Sequence, residues 1–331
     1  MTRALVVQTA WLGDVLLTTP LLDALAARLG AVDVLVTPDA APLLATHSAV
    51  AAVLTYDKRG RERGLGALWR KARALRARRY DLAVLAQGSF RSGLLVRAAG
   101  IPRRIGFADD AAAWWCTERR ARPTGHETER LLALADATPV SHRGAMSLAL
   151  TDADHATAAA ALAAAGVTGA FVALAPGSAR PTKRWPFYRE LATMLAAEVP
   201  VVVIGASGDG WGPADAGRGV ADLSGLPLRA SAAVLARAAA AVVNDSAPLH
   251  LAQAVGTPVV ALFGPTHPRL GFGPRGPRDV ALGLDLDCRP CSAHGGQRCP
   301  LRHHRCLRAL SVPTVQDAVR QVLAPREVSC V

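Results

Sequence analysis

The chain has 331 residues, 51% apolar and 5% aromatic, with 38 Lys and Arg against 26 Asp and Glu and a formal charge of +12. So much Ala, Val and Leu excludes a disordered chain and favours helices packed on sheets over an aromatic-rich sandwich. Split at residue 150, the first part carries 21 cations and 13 acids and the remainder 17 and 13, a bias that fits nucleic acid, phospholipid or a phosphorylated substrate, or a background rich in Arg.

The first elements alternate. Leu5–Thr9, Val32–Thr37, Ala49–Tyr56 and Asp81–Gln87 read as strands. A helix from Asp14 carries apolar Leu16, Leu17, Leu21, Leu25 and Leu29 and closes at Gly30. A basic helix, Gly64–Tyr80, places Leu68, Ala72 and Leu75 in one stripe and Arg70, Arg73, Arg76 and Arg78 elsewhere. Such a helix can lie on an anionic membrane, but a crossover helix with a solvated face is the commoner case. The pattern weakens from Phe107 to Gly125. A helix at His126–Ala137 and a linker at Pro139–Leu150 follow.

The alternation then restarts. Helices are expected at Asp152–Ala165, Phe187–Glu198 and Ser231–Ala240, and strands at Phe171–Pro176, Pro200–Ala206, Ala241–Asp245 and Pro258–Gly264. Strand and helix in turn imply parallel sheets covered on both faces, hence two α/β domains, 1–150 and 151–331, with ligands at the carboxyl ends of the strands. Gln8 and Asp14 interrupt the apolar start, and Gly and Pro break the uncharged windows 155–179 and 246–268. No secretion signal or membrane span is therefore read, and a soluble cytoplasmic protein is expected.

Four loops carry candidate chemistry. After the first strand, Gly13 permits close backbone approach. Asp14 opens a helix, either as an ordinary cap or as a general base. The stretch APGSARPTKRWP offers Ser178, Thr182 and Lys183 at a strand-to-helix junction, a setting suited to a phosphate-bearing ligand though without Walker spacing. In NDSAPLHLAQAVGTPVVALFGPT, Asp245 ends a strand, Ser246 and Ala247 begin a helix, and His250 sits on its first turns. Last, Cys288, Cys291, Cys299 and Cys306 fall within nineteen positions, beside His294, His303 and His304. In a cytosolic chain four thiols so spaced point to a tetrahedral Zn or Fe site or to reduced thiols, not to disulfides. Cys116 and Cys330 look incidental.

With these loops read, the chain resembles glycosyltransferase family 9, the heptosyltransferases of lipopolysaccharide inner-core synthesis, and among them the second-heptose type. QTAWLGDVLLTTPLLDAL is similar to the amino-terminal signature, PGSARPTKRWP to the donor loop with its Lys-x-Trp-Pro, and NDSAPLH to the Asp-Thr-Gly-x-x-His signature. The resemblance implies a GT-B fold, two Rossmann-like domains facing across a cleft, acceptor on the first and ADP-sugar on the second. It implies inverting transfer of heptose from ADP-L-glycero-D-manno-heptose to a Kdo- or heptose-bearing lipid A precursor, with no cofactor required for catalysis. By the same resemblance Asp14 is the base and Lys183 a partner of the donor phosphates. Asp245 holds the donor heptose, Ser246, Ala247 and His250 line the diphosphate and sugar site, and Leu226 contacts adenine. Some relatives hold iron through four Cys, which makes the cysteine loop a structural Zn or Fe site. The implied location is cytoplasmic, peripheral at the cytoplasmic face of the inner membrane. Two positions depart from the pattern: Ser246-Ala247 replace Thr-Gly, and Ala179 replaces a second hydroxyl.

Three other readings compete. They are a transferase for another nucleotide-linked sugar, a nucleotide-sugar epimerase of the same architecture, and a nucleic-acid-binding protein built on the cysteine cluster. The low aromatic content and the lack of a basic-aromatic stripe argue against the last, so no nucleic acid is expected. A dinucleotide oxidoreductase lacks its GxGxxG.

Overall fold

Runs of small and β-branched residues, too apolar to face water, end up as parallel strands buried on both faces. The computed structural model describes residues 2–136, 144–209, 211 and 217–324, and the chain divides into two compact units, Met1–Ala149 and Leu150–Val331. Part of the expected linker, residues 139–143, lies outside the described residues, as do Ala137 and Cys330.

Unit 1 runs β1 (Ala4–Gln8), α1 (Leu12–Leu17), α2 (Thr19–Leu29), β2 (Val32–Val36), α3 (Ala41–Leu44), β3 (Val50–Thr55), α4 (Leu65–Ala77), β4 (Leu82–Leu85), α5 (Phe90–Ala98), β5 (Arg103–Phe107), β6 (Glu118–Arg120) and α6 (Glu127–Leu132). Its sheet is ordered β3-β2-β1-β4-β5-β6, every pair parallel. Unit 2 runs α7 (Asp152–Ala164), β7 (Val172–Ala175), α8 (Tyr188–Leu195), β8 (Val201–Val203), β9 (Val220–Asp222), α9 (Leu228–Arg237), β10 (Ala240–Asn244), α10 (Ala247–Ala254), β11 (Val259–Leu262), β12 (Val280–Leu282), α11 (Arg305–Arg308) and α12 (Val312–Leu323). Its order is β12-β11-β10-β7-β8-β9, again all parallel. Counted within each unit, both sheets follow the same doubly wound path, in which the first and fourth strands lie side by side. There the direction in which strands are added reverses and a crevice opens at the carboxyl ends. In unit 1 that point lies between β1 and β4, and in unit 2 between β7 and β10.

Several expectations need correction. The helix expected from Asp14 to Gly30 is two helices parting at Thr18. Pro20 has no N–H for the carbonyl of Leu16, and the Thr19 hydroxyl donates to that oxygen instead at 2.8 Å. The helix expected at Ser231–Ala240 begins three residues earlier, with Pro227 as its cap. β5 was not expected, and the stretch where the pattern weakens, which begins at its last residue, holds a 3₁₀ turn at Ala111–Trp115 and β6, three residues too polar to show periodicity. The described end of the expected linker is anchored to unit 1: the Ser147 N–H donates to Thr19 Oγ1 at 3.0 Å, and the Thr46 hydroxyl to Ala149 O at 2.6 Å. No helix among the described residues is long and apolar enough to cross a membrane.

Candidate active site

In unit 1 the loop after β1 delivers Asp14 at the third position of α1, not at its cap. The cap is Trp11, whose side chain offers no acceptor, and the Asp14 carboxylate reaches back to accept from the Trp11 N–H at 3.0 Å. That back-bond fixes the rotamer of the carboxylate. Gly13 is buried inside α1.

The neighbouring loop after β4 supplies a polar set that sequence reasoning missed. Thr9 Oγ1 donates to Gln87 Oε1 at 3.1 Å and lies 3.3 Å from Ser92 Oγ. The Lys58 ammonium donates to Gln87 Oε1 at 2.8 Å and to Ser89 Oγ at 3.3 Å. Burial, with Arg59 and Arg91 nearby, lowers the Lys58 pKa to about 8. Glu127, at the start of α6, bonds Arg130 at 3.2 Å and lies 3.7 Å from Arg122. Burial raises its pKa against those two cations, and the charge of Asp14 adds to the rise, so the two carboxylates share one field. A short polar run (AQGS) straight after a buried strand was the signal for this loop.

In unit 2 the expected residues gather at the β7/β10 switch point. The Lys183 ammonium lies 2.7 Å from the Asp245 carboxylate, and the Thr266 hydroxyl donates to the same Asp245 oxygen at 2.6 Å. Asp245 is buried at the end of β10, so its charge is held by a cation and a hydroxyl, as a buried carboxylate requires. Ser246 caps α10 and its hydroxyl donates to Gly177 O at 3.3 Å; Ala247 is the first helical residue. His250 is buried on the same helix. Ser178 Oγ accepts from the Arg180 N–H at 3.3 Å, and Arg184 donates to Ser178 O at 2.8 Å. Leu226 is half-buried in the turn before α9, where its carbonyl accepts from Ser231 Oγ at 3.5 Å.

Asn244 and Thr266 were not anticipated. The Asn244 amide donates to Pro176 O at 2.8 Å and its oxygen accepts from the Trp185 N–H at 3.2 Å. It thereby ties the ends of β10 and β7 to the Lys-x-Trp segment. The signal was a polar residue fully buried at the end of an apolar strand.

Thr182 is also tied to a distant loop. Its hydroxyl donates to Gly296 O and accepts from the Gly296 N–H, both at 2.8 Å. His304 Nε2 pairs with Thr182 O at 2.7 Å, and the Cys291 N–H donates to Pro265 O at 3.0 Å. The cysteine loop is thus fastened to both loops that present Lys183 and Thr266. Gly295, at φ +76°, lies so close to the Lys183 stem that a Cβ would come within 2.9 Å of Lys183 Cε and Cγ.

Cys291, Cys299 and Cys306 line one cavity of about 220 Å³ together with Thr182, Pro265 and His304. Burial raises the Cys291 and Cys306 thiols, and the other loop cysteines add to the rise, Cys288 among them. All four are free thiols. The donor types suit Zn or Fe, and three of the four thiols already share this cavity, although among the described residues no three His, Cys, Asp or Glu side chains stand together as a metal-holding group.

Residues 68–299 match glycosyltransferase family 9 (heptosyltransferase). Lipopolysaccharide heptosyltransferase 1 of Pseudomonas aeruginosa is 33% identical over 323 residues, covering 87% of this chain and 86% of the relative. The structure of the E. coli ADP-heptose lps heptosyltransferase II superposes with a TM-score of 0.78 at 23% identity, covering 97% and 98% of the two chains. An E. coli heptosyltransferase solved with ADP-2-deoxy-2-fluoro heptose gives 0.68 at 25% identity, over 97% and 99%.

Proposed function

The chain belongs to glycosyltransferase family 9, the heptosyltransferases, and on that premise we propose that it moves heptose from ADP-L-glycero-D-manno-heptose to the inner core of a lipopolysaccharide precursor, with inversion. Its fold is GT-B: two parallel six-stranded sheets with helices. The observation that carries the reading is the Lys183–Asp245–Thr266 cluster at the mouth of α10.

In a single displacement, the acceptor hydroxyl gives its proton to the Asp14 carboxylate as its oxygen bonds to the anomeric carbon. The bond from that carbon to the ADP oxygen breaks, and the electron pair leaves with the diphosphate. The developing charge calls for a fixed cation and aligned dipoles, which Lys183 and the amino terminus of α10 supply. Asp245 holds Lys183 in place and offers a carboxylate to sugar hydroxyls. Lys58, Gln87 and Ser89 present a cation and neutral donors to the anionic acceptor. A metal on Cys288, Cys291, Cys299 and Cys306 would brace the loop under Lys183, and no step passes through it.

The relatives include first- and second-heptose enzymes, so the proposal leaves the second-heptose assignment behind and keeps the donor. Transfer should occur with ADP-heptose in a screen against UDP- and GDP-sugars. Equal transfer from a GDP-sugar overturns the donor assignment, and consumption of ADP-heptose without acceptor points to the epimerase.

A further inference from the structure

Between Lys58 and Arg79 the sequence holds ten Lys and Arg and one acid, Glu62, so 22 residues carry nine of the chain's twelve net positive charges. Glu62 is itself paired with Lys71 at 3.1 Å. The segment is mostly α4, which turns Leu68, Ala72 and Leu75 toward the sheet and leaves Arg70, Arg73 and Arg76 exposed. Beside them, along the edge of the buried stripe, Leu65 is 69% exposed and Trp69 57%. The neighbouring α5 exposes Phe90 (51%), and the turn at Ala111–Trp115 exposes Trp114 (80%).

These side chains belong to elements packed on the same face of the sheet. Leu68, Ala72 and Leu75 of α4, Leu95 and Val96 of α5 and Ala112 of the turn share one core cluster with Leu5, Val7 and Leu85 of the sheet, so their opposite faces form one outer layer. The Arg91 guanidinium donates to Glu62 O at 2.7 Å and Gly64 O at 3.1 Å, binding the starts of α4 and α5 together. The Phe90 and Trp115 rings meet edge to face at 5.3 Å. Of the seven large apolar side chains exposed among the described residues, four lie on this layer. Scattered, they would need no explanation; gathered among Arg side chains on a basic helix, they do. The layer also runs toward Asp14, because the Arg59 guanidinium stacks 4.1 Å over the ring of Trp11, the cap of α1.

We propose that the outer face of α4, α5 and the 111–115 turn docks the protein on an anionic lipid bilayer. Trp69, Trp114, Phe90 and Leu65 enter the headgroup boundary, and Arg70, Arg73, Arg76 and Arg97 pair with lipid phosphates. Indole and aromatic rings favour that boundary, and cations near it add attraction that salt screens. The inference rests on the reading of a lipid-linked acceptor, which places the substrate at such a surface.

The test is cosedimentation of the full chain with phosphatidylglycerol–phosphatidylethanolamine vesicles, run beside transfer to a deacylated, water-soluble acceptor. Binding should appear at low salt, weaken at high salt and be absent with phosphatidylcholine alone. Each of Arg70→Gln and Arg73→Gln should lower the partition coefficient by about fivefold, and Trp69→Ser with Trp114→Ser should lower it further. All three variants should transfer to the soluble acceptor as the unaltered protein does. Variants that sediment like the unaltered protein overturn the proposal. So does self-association that Trp69→Ser abolishes, or tight duplex binding with vesicles ignored. Transfer without vesicle binding overturns the docking face and leaves the transferase reading standing; vesicle binding without transfer does the reverse.

Discussion

The Asp14 carboxylate accepts from the Trp11 N–H, so replacing its charge while keeping its shape isolates the proton step. Asp14→Asn should lower kcat by about 10²- to 10⁴-fold, the span of general-base contributions, and leave the ADP-heptose dissociation constant unchanged; full activity rejects Asp14 as the base. Lys183→Ala should act on both quantities, weakening ADP binding and lowering kcat/KM by about 10²-fold. An unchanged ADP dissociation constant would remove Lys183 from the diphosphate. Lys58 gives a pH signature. Its ammonium is lost as pH rises through about 8, so the acceptor KM should climb above that pH, and Lys58→Arg should flatten the climb. Stability moves the other way. From about 8 up to the unfolded value the unfolded chain binds the extra proton, so unit 1 gains stability as pH rises across that window. A KM that ignores pH there would take Lys58 out of acceptor binding.

At the scale of elements, the loop of four cysteines is fastened to Thr182 and Pro265 and lies on the stem of Lys183. Its condition should therefore be read at the donor. Purified protein should carry near-stoichiometric Zn or Fe by elemental analysis, and Cys291→Ser should lose the metal and raise the ADP dissociation constant. Gly295→Ala should raise that constant with the metal retained, because the added methyl crowds Lys183. Metal-free protein at full activity rejects the site. Buried strands such as Val172–Ala175 and Ala240–Asn244 were legible, because an apolar run between Gly and Pro has few alternatives. The break at Thr18 was not, because the apolar spacing continues across it and only the missing N–H of Pro20 ends the ladder. The bond from Thr182 to Gly296 was not legible, since the two residues lie 114 apart in the chain.

For the whole molecule, the division near residue 150 and the parallel sheets follow from alternating strands and helices, but the strand order does not. Short edge strands such as Glu118–Arg120 and Val280–Leu282 leave almost no periodic trace, and six-stranded sheets could not be counted from sequence. Once both are counted, the two sheets share one winding order although no repeat is visible in the residues. Equivalent places then hold different chemistry. Asp14 follows the first strand of one unit where Ser178 follows that of the other, and Gln87 stands where Asp245 stands. Such an arrangement is modular. Grafting the loops after β7 and β10 from a relative that uses another nucleotide sugar should rewrite the choice of donor, while the loops after β1 and β4 keep their own sequence and their own history.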